Sequence, residues 1–68
     1  MRKWQITSRA GVDMGVYEGM SKEAALSALH TEAGYHTWVD SLGQLCFQSQ
    51  QDRELCGDIF DWHFDEVK

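Results

Sequence analysis

The chain has no proline and no run rich in glycine and serine, so nothing in it reads as a linker between folding units. Its 68 residues are too few to build two cores, and residues 1–68 are expected to form a single domain. It has no apolar run long enough to cross a bilayer, so no membrane contact is expected. The basic start, Met1–Arg9, lacks the apolar stretch of a signal peptide. Both absences predict a soluble, cytoplasmic protein. Cysteine is scarce: Cys46 and Cys56 lack the C-x-x-C spacing of redox or zinc motifs and read as separate, reduced, mostly buried thiols. Basic residues are outnumbered, six Lys and Arg against eleven acids, for a net charge of −5. That balance argues against direct nucleic-acid binding and favours a partner with a basic surface.

What is present is ordinary for a globular domain: 43% hydrophobic and 25% charged residues, so disorder is not expected. The charge is unevenly spread. Arg2, Lys3 and Arg9 stand among the first ten residues with no acid, whereas residues 52–68 hold six acids against Arg53 and Lys68.

Two segments share one hairpin grammar. In W-Q-I-T-S-R-A-G-V-D-M-G-V-Y, a three-residue loop Arg9-Ala10-Gly11 pairs Ser8 with Val12, Ile6 with Met14 and Trp4 with Val16. That register collects the aliphatic side chains on one face and leaves Lys3, Gln5, Thr7, Asp13 and Tyr17 on the other. Gly15, inside the second strand, marks a bulge or a close backbone approach. In H-T-W-V-D-S-L-G-Q-L-C-F, a Ser41-Leu42-Gly43 loop pairs Val39 with Leu45, Trp38 with Cys46 and Thr37 with Phe47, and Trp38 is expected to be partly exposed.

Between the hairpins, Ser21 reads as the N-cap of a helix with the apolar stripe Ala25, Leu26, Ala28, Leu29 and Ala33, closed by a Schellman motif at Gly34-Tyr35. Ser49 and Asp52 open a shorter helix, Gln50 to Cys56, stopped by Gly57. Asp58–Val67 fits a helix or a strand. Strict alternation of Phe60, Trp62 and Phe64 with Asp61, His63 and Asp65 favours the strand, since Gly57 would cost a continuous helix about 1 kcal/mol. The expected fold is α+β: a small antiparallel sheet in the order β-β-α-β-β-(short α)-β, with one main helix packed on it.

The legible chemistry is thin. Asp61, His63 and Asp65 are metal-ligand types, but alternate strand residues stand about 6.5–7 Å apart, so convergence needs help from elsewhere, with His30 and His36 as candidates. No Gly-x-Ser-x-Gly elbow and no phosphate-cradling glycine loop is present, and neither an enzyme nor a cofactor is expected. The acidic C-terminal segment remains. Asp58, Asp61, Asp65 and Glu66 are the candidate contacts to a basic partner, with Trp38 or Trp62 as an apolar anchor. The other readings are a domain binding a metal or small ligand, and a homodimer paired through an edge strand.

The run I-T-S-R-A-G-V-D-M-G-V-Y-E-G-M-S-K-E-A-A-L…A-G-Y, within Trp4–Tyr35, resembles the opening half of short uncharacterised proteins encoded by bacteria and their phages. Its landmarks are structural: a hairpin glycine, a glycine after the second strand, Glu-Ala in the helix and Ala-Gly-Tyr at its end. The resemblance implies a fold and carries no catalytic residues. Small acidic proteins of this kind are similar in size and charge to anti-CRISPR and other anti-defence proteins. The function expected is therefore a non-enzymatic protein-binding module, a phage-encoded inhibitor docking on a nucleic-acid-handling host protein.

Overall fold

The first loop closes as its glycine predicts. In a computed structural model describing all 68 residues, Gly11 N donates to Ser8 O (2.9 Å) and Ser8 N to Val12 O (2.8 Å), with Gly11 at φ 86°. The loop joins strands β1 (Lys3–Ser8) and β2 (Asp13–Glu18). Past the loop the register departs from the predicted one. Thr7 faces Asp13, but Ile6 faces Gly15 and Trp4 faces Tyr17, so Met14 is an extra residue in β2. Gly15, at φ 102°, takes the backbone conformation that this bulge needs and that a side chain would strain. The extra residue exchanges the two faces for the rest of β2: Tyr17 packs on the core and Val16 turns outward, 49% exposed.

Helix α1 (Lys22–Glu32) starts where Ser21 Oγ accepts from Ala24 N (3.2 Å) and ends in the predicted Schellman bonds, Tyr35 N to His30 O (2.9 Å) and Gly34 N to Thr31 O (3.1 Å). Ala25 and Leu29 meet Trp4 and Ile6 in the core, and Leu26 is fully buried. The buried stripe runs on through His30; Ala33, expected in it, is exposed. The last strand, β5 (Trp62–Val67), lies antiparallel on the other side of β1, giving the order β2-β1-β5. Ile6 faces Phe64, Ser8 faces Trp62 and Trp4 faces Glu66, so these share the helix side of the sheet. His63, Asp65 and Val67 share the opposite, solvent-facing side with Lys3, Gln5 and Thr7.

The fold is α+β, with all strand pairs antiparallel, but its strands do not form one sheet. Strands β3 (Thr37–Val39) and β4 (Leu45–Phe47) pair only with each other, in the predicted register. This hairpin is tied to the side of α1 instead of a sheet edge. Ser27 Oγ donates to Thr37 O (2.9 Å), and Thr37 Oγ1 donates to Ser27 Oγ (3.0 Å). With three residues in each strand it has little edge to offer a neighbour. Helix α2 (Gln50–Cys56) follows, N-capped by Ser49 and buried at no position.

The predicted strand over Asp58–Val67 is corrected in its first half. Ile59–Asp61 form one turn of 3-10 helix, and the strand begins only at Trp62. Phe60 therefore leaves the core face that its alternation with Trp62 and Phe64 had assigned it.

Candidate functional site

Asp58 and Asp61 cap the 3-10 turn reciprocally. Asp58 Oδ1 accepts from Ile59 N (2.7 Å), and Asp61 Oδ2 accepts from Asp58 N (2.8 Å). Arg9 Nη1, reaching from the first hairpin loop, ion-pairs with Asp61 Oδ1 at 3.3 Å. Gly57, at φ 80° and ψ −177°, occupies backbone space that is nearly restricted to glycine, and a Cβ there would stand 2.7 Å from Asp61 Oδ2. Between the two capping acids, Phe60 is held out into solvent with 91% of its surface exposed.

Two clefts open on either side of this turn. The larger, about 380 Å³, is lined by Leu45, Phe47, Ile59 and Phe60, with Glu23, Arg53 and Asp58 supplying charge. The smaller, about 250 Å³, shares Glu23, Ile59 and Phe60 and continues onto Trp62 and Phe64. Ile59 and Phe60 thus form the ridge of an apolar surface that spans the second hairpin, the turn and β5. Such an apolar concavity edged by a few charges is the usual form of a binding site.

The six predicted contact residues are not brought together on one surface. Asp58 and Asp61 are spent on the turn. Asp65 stands on the open face of the sheet, its Oδ2 3.2 Å from His63 Nε2. Glu66 is gripped by a two-pronged Arg2, with Nε–Oε2 at 2.9 Å and Nη2–Oε1 at 3.0 Å, and these hydrogen bonds hold its carboxyl below the usual carboxylate range. The same guanidinium lies 4.5 Å from the centre of the Trp4 ring. Trp62 packs against the core and lines the smaller cleft, with its indole Nε1 buried and unpartnered. Trp38 is 43% exposed on the hairpin beside His36.

No three His, Cys, Asp or Glu side chains converge as metal ligands, since Asp61 has left the strand that carries His63 and Asp65. Both cysteines are free thiols. Burial pushes both upward from their ordinary pKa, with Asp40 adding to the effect at Cys46 and Asp52 at Cys56, so neither is an activated nucleophile.

Phe60 was missed because the period-two pattern runs through it without a break. A signal was present nonetheless. Asp58-x-x-Asp61 directly after Gly57 repeats the capping spacing of Ser49-x-x-Asp52 and marks a turn of helix.

Fold and site together define a two-helix α+β domain that presents an apolar ridge. No protein-family model matches the chain, and no similar curated protein or solved structure was found. No helix is long and apolar enough to cross a membrane.

Proposed function

We propose that this is a small, non-enzymatic protein-binding module whose anchor is Phe60. The observation that carries the reading is the turn itself: two capping acids, an ion pair and a glycine-only conformation hold a large aromatic in water. An anchor fixed before binding loses little conformational freedom when it docks, which favours affinity. The clefts beside it take apolar side chains of the partner, and aromatic residues are enriched at such contacts. The net charge of −5 favours a basic partner and faster encounter with it. A nucleic-acid-handling host protein inhibited by a phage-encoded product is the partner class we favour. In this reading Asp58 and Asp61 act chiefly by positioning Phe60, while Asp65 contributes only to the general charge.

Affinity capture from bacterial lysate, comparing the wild type with Phe60→Asp, tests the reading. Phe60 buries almost nothing, so Phe60→Asp should shift stability by no more than about 0.5 kcal/mol. A basic protein retained by the wild type and lost with Phe60→Asp is the expected result. The same proteins retained by both chains would exclude Phe60 as the anchor.

A further inference from the structure

His30 links the helix to both sheets. It projects from the last turn of α1, is 2% exposed, and packs against Phe47 of β4 (ring centroids 5.7 Å) and Trp62 of β5 (6.3 Å, edge to face). Neither Nδ1 nor Nε2 has a hydrogen-bond partner. The other buried side-chain polar atom without a partner is Trp62 Nε1, which can only donate. This setting suits a neutral imidazole and opposes a second proton, because a cation buried here would lose its hydration and find no acceptor.

We infer that His30 is an acid-sensitive clamp: neutral, it holds the β3–β4 hairpin and β5 together under α1, and its protonation weakens that packing. The titratable and charged groups on the elements around it do not offset the charge. Lys22, Glu23 and Glu32 on its own helix, Cys46 on β4, and His63, Asp65 and Glu66 on β5 all lie outside ion-pairing and hydrogen-bonding reach of the ring. Asp65 and His63 point to the opposite face of the sheet, and Glu66 is already held by Arg2. Burial accordingly lowers the pKa of His30 below its ordinary 6.5. The unfolded chain takes up the proton as pH falls through about 6.5 and the folded chain does not, so stability is complete above that value and declines below it. Phe47 and Trp62 also line the two clefts, so acid should weaken partner binding. That consequence rests on the protein-binding reading; the pH dependence of stability does not.

Urea unfolding between about pH 7.5 and about pH 5.5, above the range where carboxylates titrate, tests the clamp. The unfolding constant of the wild type should rise across that interval, by up to about tenfold, the ceiling set by one proton bound only by the unfolded chain. His36→Gln/His63→Gln should keep this dependence, because neither ring is buried. His30→Leu, which restores an apolar side chain between Phe47 and Trp62, should abolish it. If His30→Leu does not fold, ring NMR of the wild type decides: the His30 ring should take up its proton at lower pH in the folded chain than in the unfolded one. A wild type with flat stability, a dependence that disappears with His36→Gln/His63→Gln, or a His30 ring that titrates near 6.5 in the folded chain would each overturn the inference.

Discussion

Gly19 shows how closely single atoms are fitted at the junction of β2 and α1. A Cβ there would lie 2.6 Å from Ala25 N and 2.9 Å from Ala24 Cβ, contacts to helix backbone and its first turn that cannot swing aside. Its carbonyl accepts from Trp4 Nε1 (3.1 Å), which satisfies the one polar atom of the largest core side chain. Gly19→Ala should therefore cost about 1–3 kcal/mol by overpacking, read as a lower urea midpoint with an unchanged slope. Unchanged stability would mean that the helix can shift away from the strand. Phe60 is the opposite case, a residue whose surroundings ask almost nothing of it for stability.

The elements differ in how far their own sequence determines them. Loops and caps are local, so Arg9-Ala10-Gly11, Ser41-Leu42-Gly43, Ser21, Ser49 and the Gly34-Tyr35 ending were all legible in the residues themselves. The bulge at Met14 was only half legible. Gly15 signalled an irregularity, but the exchange of Val16 for Tyr17 on the core face depends on how α1 covers the sheet. Whether β3–β4 joins the main sheet is a question of long-range pairing, which no local pattern encodes; Ser27 and Thr37 tie the hairpin to the helix instead. In the candidate site, alternation reads through Asp58–Asp61 as strand, whereas both acids cap a turn of 3-10 helix. The two helix caps test this division between local and tertiary control. Ser21→Ala should cost about 1 kcal/mol of global stability, since α1 covers the core. Ser49→Ala should leave the global value nearly unchanged and speed amide exchange within α2, which buries nothing. Equal global losses for the two variants would show that α2 contributes more to the fold than its exposure implies.

At the scale of the whole molecule, the domain is a three-stranded sheet and a small hairpin held on one helix, with an apolar ridge where hairpin, turn and β5 meet. The C-terminal acids are divided between structure and charge, with Asp58, Asp61 and Glu66 each engaged in a specific contact and Asp65 free of the core. On our reading this division serves to present Phe60. Titrating the captured partner against the wild type, Phe60→Ala, Asp61→Ala and Asp65→Lys tests that claim most directly. Phe60→Ala should lose about 30-fold or more in affinity, as for a central anchor, with its melting temperature unchanged. Asp61→Ala should lose less, by loosening the turn, and Asp65→Lys least of all. Wild-type affinity in Phe60→Ala, with the main loss in Asp65→Lys, would contradict the claim and return the contact to the open acidic face of the sheet.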